Sequence, residues 1–134
     1  AGSVSDHVSA HWDMLPTFCD LAGIKPGGKT DGISMRPALM GGEQEAHEYL
    51  YWEFYEQGGK KAARWGKWKA VQNKMGSNPD APIEIYDLKA DLGEQNNIAA
   101  ANPQLVSRAQ DIFAQAHMKS PNWTFGAKKT PKKK

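Results

Sequence analysis

The first regular hydrophobic pattern lies close to the N-terminus and predicts a helix over residues 13–22. Its apolar residues recur at the spacing of one helical face and are Met14, Leu15, Phe18, Leu21 and Ala22. Asp13 stands where its side chain can cap this helix, and Gly23 stands where it suits a left-handed stop. A short amphipathic helix needs a second surface to cover its stripe, so the pattern also predicts a partner for that face.

Residues 25–45 are rich in glycine and interrupted by proline, which predicts an ordered connector. One helical turn is expected within it, near residues 37–40.

The aromatic run at residues 49–55 predicts the first strand of a sheet. The glycine pair at residues 58–59 suits a two-residue hairpin turn, because such a turn requires positive φ angles. This turn would place Glu53 opposite Arg64, where the two side chains could form an ion pair. A second tight turn is expected at residues 66–67.

Side-chain alternation along these strands predicts one core face and one mixed, polar and aromatic face. The core face would contain Leu50, Trp52, Phe54, Ala63, Trp65, Trp68 and Ala70. The opposite face would contain Tyr51, Glu53, Tyr55, Lys60, Ala62, Arg64, Lys69 and Val71. Trp52 and Trp68 would both face Trp65, so these tryptophans are expected to be structural.

Two further patterns complete the predicted fold. Residues 83–88 predict a fourth strand, and Asn102 with Pro103 predicts the start of a helix. The apolar stripe of that helix contains Leu105, Val106, Ala109, Ile112, Phe113 and Ala116. The sequence therefore predicts an α+β fold: a four-stranded antiparallel sheet packed against a C-terminal helix, preceded by one helix and a long connector.

Composition narrows the range of functions. The chain has 134 residues, of which 40% are hydrophobic and 24% charged, which suits a compact globular fold. No apolar run approaches the ~20 residues of a membrane helix, and no signal peptide is visible, so no membrane partner is expected. The net charge is only +2, and its positive excess lies in a lysine tail within residues 120–134. This tail is expected to be disordered, and the folded part is not expected to bind nucleic acid.

Five segments, in order, resemble the C-terminal end of type I sulfatases or arylsulfatases, the formylglycine-dependent family of the alkaline-phosphatase-like superfamily. They are residues 13–24, with Asp-x-x-Pro-Thr and Leu-Ala-Gly; residues 31–41, with Asp-Gly-x-Ser; and residues 51–53, 64–69 and 85–98. The last segment is similar to the family's Leu-Tyr-Asp-Leu-x-x-Asp-Pro-x-Glu-x-x-Asn-Leu, with Leu92 in place of the usual proline.

The resemblance implies a parent enzyme that hydrolyses sulfuric esters. Its formylglycine would arise from the Cys or Ser of a Cys/Ser-x-Pro-x-Arg motif, and a calcium ion would polarise the sulfate. Cys19 is followed by Asp20, without that proline or arginine, and the metal-site aspartates have no counterpart. No catalytic or metal-binding residue is therefore predicted in this chain, calcium and formylglycine are implied only for the parent, and the chain alone is predicted to be inactive.

The resemblance also implies that the C-terminal subdomain forms a wall beside the catalytic cleft. Candidate substrate-binding residues on the mixed face are Tyr51, Glu53, Tyr55, Arg64 and Lys69. A positive side chain could meet a sulfated or uronic sugar, and a tyrosine could stack on its ring. The alternative is a surface ion pair between Glu53 and Arg64, flanked by solvated tyrosines.

Three parts are expected along the chain. Residues 1–47 would be the last helix and connector of the catalytic domain, residues 48–119 the C-terminal sulfatase subdomain, and residues 120–134 the tail. The partners would be a missing N-terminal catalytic domain and, through the parent, a sulfated substrate in the periplasm or outside the cell. The alternative function is a free-standing binding module for an acidic glycan or protein.

Overall fold

The computed structural model describes residue 2 and residues 4–125, so residues 126–134 of the predicted tail, including its five lysines, lie outside the described residues. The chain divides into two compact units between Glu48 and Tyr49.

The first unit contains the predicted N-terminal helix and the connector. A 3-10 turn at His11–Asp13 leads into α1, Met14–Leu21, and Gly23 follows with a φ of +70°. The connector contains a short helix, α2, at Arg36–Leu39, where a helical turn was expected. These predictions from periodicity and glycine placement are confirmed.

Asp13 does not cap α1 with its side chain, which corrects the expectation from sequence. Its carboxylate is fully buried and accepts hydrogen bonds from the backbone N–H of Ala10 at 2.7 Å and of Ile33 at 2.9 Å. The ring Nε2 of His47 lies 2.8 Å from the same carboxylate. Burial would raise the pKa of Asp13, but these hydrogen bonds outweigh it and hold the pKa below its ordinary value. One carboxylate thus ties the turn before α1 to the connector and to His47.

The glycine of the Asp-Gly-x-Ser segment is explained by close packing. A Cβ atom on Gly32 would lie 2.2 Å from the carbonyl oxygen of Trp12. Only glycine lets the connector approach the backbone before α1 this closely.

The second unit is a four-stranded antiparallel sheet with a helix on one face, which confirms the predicted fold class. Its strands are β1, Leu50–Phe54; β2, Lys60–Trp65; β3, Trp68–Asn73; and β4, Ile83–Asp87. They lie in the order β1-β2-β3-β4, and the helix α3 spans Pro103–Ala116. Asn102 and Pro103 stand at the start of α3 as predicted, although the Asn102 side chain bonds the carbonyl of Ile98 instead of capping.

The register between β1 and β2 differs from the prediction. Glu53 faces Lys61, not Arg64, and Trp52 faces Ala62. The connection is longer than a two-residue turn because residues 55–59 all lie outside the strands, and Gln57 has a positive φ like the two glycines. The expected turn at residues 66–67 is confirmed, since Trp65 faces Trp68.

Residues 55–59, which we call the glycine loop, contact the loop that follows β3. The backbone N–H groups of Met75 and Gly76 donate to the carbonyls of Gly59 at 3.0 Å and Gly58 at 2.8 Å. Gly59 is buried, with a φ of +76°, and an added Cβ would lie 3.2 Å from the Cβ of Met75. This contact between distant loops supports the longer connection, whose own turn is closed by a 3.0 Å hydrogen bond from the Gly59 N–H to the Glu56 carbonyl.

Because the shift in register is odd, it exchanges the two faces of β1. The helix face of the sheet, which packs on α3, carries Tyr51, Glu53, Lys61, Ala63, Trp65, Trp68, Ala70, Gln72, Ile83 and Ile85. The outer face carries Leu50, Trp52, Phe54, Lys60, Ala62, Arg64, Lys69, Val71 and Tyr86. The predicted core face was therefore right for Ala63, Trp65, Trp68 and Ala70 and wrong for Trp52 and Phe54. Leu50 lies on the outer face but is buried, as predicted, with 3% exposed.

Trp52 and Phe54 show the consequence, since 38% of Trp52 and 45% of Phe54 is exposed. The core is formed instead by alanines and isoleucines under α3, namely Ala63, Ala70, Ile83, Ile85, Ala109 and Ile112, with Phe113.

The family-like segment at residues 85–98 is structural. The Asn97 side chain accepts from the backbone N–H of Ile85 at 3.1 Å and of Ala99 at 3.0 Å. Asp91 accepts from the N–H of Gln95 at 2.8 Å and of Asn96 at 2.7 Å. These hydrogen bonds hold the connection between β4 and α3 in place, and this connection leads α3 onto the sheet.

Candidate functional site

The densest polar cluster of the second unit surrounds Glu53 on the helix face. Tyr51 donates its hydroxyl to Oε1 of Glu53, and Tyr55 donates to Oε2. Nδ1 of His117, directly after α3, lies 2.5 Å from Oε1. Only 11% of the Glu53 side chain is exposed. The carboxylate therefore joins the edge strand to the end of the helix.

These hydrogen bonds set the protonation of the cluster. Burial would raise the pKa of Glu53, but the donors Tyr51, Tyr55 and His117 outweigh it and lower the pKa. Burial and the bond to Glu53 raise the pKa of Tyr51 far above its ordinary value. The bond to Glu53 raises the pKa of Tyr55 to about 12. Both phenols therefore stay protonated as donors and are unsuited to act as bases or nucleophiles.

Aromatic rings and one lysine extend the cluster. The ring centroids of Tyr51 and Phe113 are 5.9 Å apart. Tyr55 stacks on Phe125, with ring centroids 4.5 Å apart. The Nζ of Lys61 lies 5.9 Å from the centroid of Phe113 and 5.5 Å from that of Phe125. These distances are typical of cation–π contacts.

The structure separates the five predicted substrate-binding residues into two groups. Tyr51, Glu53 and Tyr55 interact with one another, whereas Arg64 and Lys69 face each other on the outer face. The alternative of an ion pair between Glu53 and Arg64 is therefore wrong, because the two side chains point to opposite sides of the sheet.

The two outer-face cations differ in their surroundings. The Nζ of Lys69 lies 2.5 Å from Oε1 of Glu94. The Nε of Arg64 is buried and has no hydrogen-bond partner among the described residues. A buried guanidinium nitrogen without a hydrogen-bond partner lowers the stability of the fold. Among the described residues, no acceptor on the outer face reaches this nitrogen.

A cleft of about 680 Å³ opens beside the Glu53 cluster, between α3 and the sheet. Its polar and aromatic lining includes Lys61, Gln72, Asp80, Gln110, Phe113 and His117. Sequence reasoning missed Lys61 and His117. His117 lies 64 residues from Glu53 and follows the end of the helical stripe, so no local signal marks it.

The residues present do not fit the calcium ion that the resemblance implies for the parent. Within residues 4–125 no group of three or more His, Cys, Asp or Glu side chains is placed to hold a metal ion. Cys19 is a free, half-buried thiol within α1. Across the same residues, no helix has the length and apolar character needed to cross a membrane.

Fold and motifs together define a sulfatase C-terminal domain. Residues 1–119 match the family described as N-sulphoglucosamine sulphohydrolase, C-terminal, and the chain belongs to this family. The resemblance to the C-terminal part of type I sulfatases is thereby confirmed.

Two curated relatives come from Bacteroides thetaiotaomicron. A Δ4,5-hexuronate-2-O-sulfatase is 34% identical over 93 residues, covering 65% of this chain. An N-acetylglucosamine-6-O-sulfatase is 30% identical over 107 residues, covering 73% of this chain. The chain spans only 18% and 19% of the lengths of these relatives.

A solved structure described as a sulfatase from the same organism shows the same fold. It aligns with a TM-score of 0.66 at 24% identity, covering 89% of this chain and 30% of the other.

Proposed function

We propose that this chain is the C-terminal part of a larger sulfatase that hydrolyses sulfate esters of carbohydrates. In this role the chain supports the catalytic domain and lines part of the substrate cleft. The nucleophile and the calcium ligands belong to the rest of the parent. The two curated relatives act on sulfated sugars by name, which supports a carbohydrate sulfate as the substrate class.

The exposed stripe of α1 is the observation that carries this proposal. Leu15 is 56% exposed, Phe18 58% and Leu21 51%, and these residues recur along one side of the helix. An apolar stripe left open to this extent is typical of a surface that another protein segment covers. Because the chain spans less than a fifth of the length of each of these two relatives, the remaining catalytic domain is the proposed occupant.

The supporting role also extends to the outer face of the sheet. Arg64 lies on that face with its Nε buried, and guanidinium groups bind oxyanions through paired hydrogen bonds. We place Arg64 against the sulfate or carboxylate of the substrate, with Lys69 held beside it by Glu94. Tyr51, Glu53 and Tyr55 instead position the hairpin through their mutual hydrogen bonds.

The relatives come from a bacterium, and we place the parent in the periplasm or outside the cell, where such a protein meets polymeric sulfated glycans.

The test compares this chain with the gene product that includes its upstream coding region. Sulfate release is measured from 2-O-sulfated unsaturated uronate and from 6-O-sulfated N-acetylglucosamine. The longer protein should release sulfate from a sugar sulfate, and the 134-residue chain should release none. Hydrolysis by the chain alone at an ordinary enzymatic rate would overturn the proposal, as would a longer protein without a Cys/Ser-x-Pro-x-Arg segment.

The role of Arg64 has its own test in the longer protein. Arg64→Lys keeps the charge but removes the paired donors, so it should raise KM several-fold with a smaller change in kcat. Lys60→Met removes a charge from the same strand and should leave both constants near wild type. An unchanged KM in Arg64→Lys would remove Arg64 from the substrate cleft.

A further inference from the structure

We infer that the cleft between α3 and the sheet is a subsite for an acidic sugar, in which Lys61 and His117 hold the anionic group. The inference rests on the proposed function for its ligand class, since sulfated and uronic sugars are the substrates expected there. Its geometry stands on the second unit alone.

The cleft has the size and composition of a small-molecule site. Its volume of about 680 Å³ falls within the ~300–1,000 Å³ typical of ligand pockets. Its lining combines apolar residues such as Ile83 and Phe113 with a few polar side chains from both walls.

The walls of the cleft are fixed to each other, so the site is formed before a ligand binds. Lys61, Gln72 and Ile83 stand side by side across β2, β3 and β4. The buried Gln72 amide donates to the carbonyls of Ala81 at 2.7 Å and Pro79 at 3.3 Å. This amide ties the loop wall to the floor, which lowers the ordering cost of binding.

The ammonium group of Lys61 is available to the cleft because its cross-strand neighbour, Glu53, already accepts hydrogen bonds from other residues. Glu53 faces Lys61 in the register, yet both carboxylate oxygens accept hydrogen bonds from Tyr51, Tyr55 and His117. The Lys61 ammonium lies instead over Phe113 and Phe125, beside the cleft. Its three donors can serve an external anion.

His117 is held for the same task. Its Nδ1 contacts Glu53 at 2.5 Å, and the residue also lines the cleft. A carboxylate bound to one ring nitrogen fixes the orientation of an imidazole and leaves Nε2 for a ligand. In the protonated ring Nε2 is a second hydrogen-bond donor for the anion.

The remaining lining selects a sugar over a bare anion. Asp80 and Gln110 offer hydrogen-bonding groups suited to hydroxyls, and Phe113 offers an apolar surface to the C–H face of a ring. Asp80 would repel a second negative group at its end of the cleft. The expected ligand is therefore one acidic hexose unit with free hydroxyls, either a uronic acid or a singly sulfated sugar.

The test is a titration of the 134-residue chain with glucuronic acid, 6-O-sulfated N-acetylglucosamine and inorganic sulfate, followed by NMR of the His117 ring. Binding of at least one sugar should shift the His117 signals and should exceed binding of inorganic sulfate. Lys61→Met and His117→Gln should each weaken sugar binding about tenfold, the loss expected for one charge-assisted hydrogen bond.

Lys60→Met is the matched control, because this substitution removes the same charge from the adjacent position of β2, which lies on the outer face. It should bind like wild type, and so should a chain lacking residues 127–134. Backbone amide spectra show whether each variant is folded. Equal weakening in Lys60→Met and Lys61→Met, equal binding of sulfate and sugar, or no sugar binding at about 10 mM would overturn the subsite.

Sulfate release by the longer protein is scored separately. Sulfate release by the longer protein without sugar binding by the chain would contradict only the subsite. Sugar binding by the chain without sulfate release by the longer protein would contradict only the sulfatase proposal.

Discussion

Glu53 in the first strand and His117 just beyond the last helix meet with 2.5 Å between Oε1 and Nδ1, although 64 residues separate them. This contact closes the edge strand onto α3. The two residues share no sequence signal, yet they form a polar cluster between the sheet and the end of α3. The hydroxyls of Tyr51 and Tyr55 donate hydrogen bonds to the same carboxylate.

Removal of the Glu53 charge should destabilise the second unit in a pH-dependent manner. The pKa of Glu53 in the folded protein lies below its ordinary value of 4.5, so its stabilising effect is present above that pH. This effect is lost as the pH falls through the folded pKa. We expect Glu53→Gln to lower the free energy of unfolding by about 2 kcal/mol at pH 7, with the difference from wild type shrinking below pH 4.5.

Urea unfolding at pH 7, 5, 4 and 3 measures this difference. Glu56→Gln is the control, since Glu56 is exposed in the glycine loop and should change stability by less than about 0.5 kcal/mol. A constant difference across this pH range would show that Glu53 does not act through its charge.

Asp13 and His47 should be strongly coupled within the first unit. Asp13 is fully buried and accepts two backbone hydrogen bonds besides its contact with His47. Replacing either partner leaves a buried polar group unpaired, so Asp13→Ala should cost about 3 kcal/mol. A double-mutant cycle with His47→Ala should show a coupling energy above about 1 kcal/mol.

The exposed pair of Asp20 and Arg36 supplies the comparison, with 3.7 Å between the charged groups. Its cycle should give roughly 0–1 kcal/mol. Similar coupling in the two cycles would mean that burial of Asp13 adds nothing to its interaction with His47.

Gly32→Ala should damage the first unit because its added methyl group would meet the Trp12 carbonyl at 2.2 Å. Relief of that contact requires a backbone shift, and overpacking of this kind costs about 1–3 kcal/mol. Gly28→Ala is the matched control, since no atom lies within 4 Å of its added Cβ. Thermal unfolding of the two variants should differ by several degrees, and equal melting temperatures would contradict the close approach.

Phe18→Ser should affect the proposed parent protein more than this chain. In the chain Phe18 is mostly exposed, so the substitution should change the free energy of unfolding by less than about 0.5 kcal/mol. If the catalytic domain covers α1, the same substitution in the longer protein should cost about 3 kcal/mol or more. Denaturant unfolding of both proteins measures the two costs, and equal small effects would show that α1 is not covered.

Local patterns were sufficient for the elements of this fold. The stripe from Leu105 to Ala116 predicted α3, and the observed helix is Pro103–Ala116. Four strands, the turn between Trp65 and Trp68 and the glycine stop of α1 were also predicted. Each of these features is encoded by neighbours within a few residues, so a linear pattern carries it.

The candidate site was only partly accessible in this way. Tyr51, Glu53 and Tyr55 were singled out from one strand, and they do form one cluster. Arg64 was wrongly placed with them because its position depended on the predicted hairpin register.

The sequence by itself determined the helices, the four strands, the α+β class and, through its ordered motifs, the sulfatase family. The tertiary structure decided which side of the sheet each β1 residue occupies and which side chains surround Glu53. The physical reason is that the loop between β1 and β2 is held by hydrogen bonds from residues 75–76 to Gly58 and Gly59, and the Nδ1 of His117 reaches Glu53 from beyond α3. Both contacts join parts of the chain that only folding brings together.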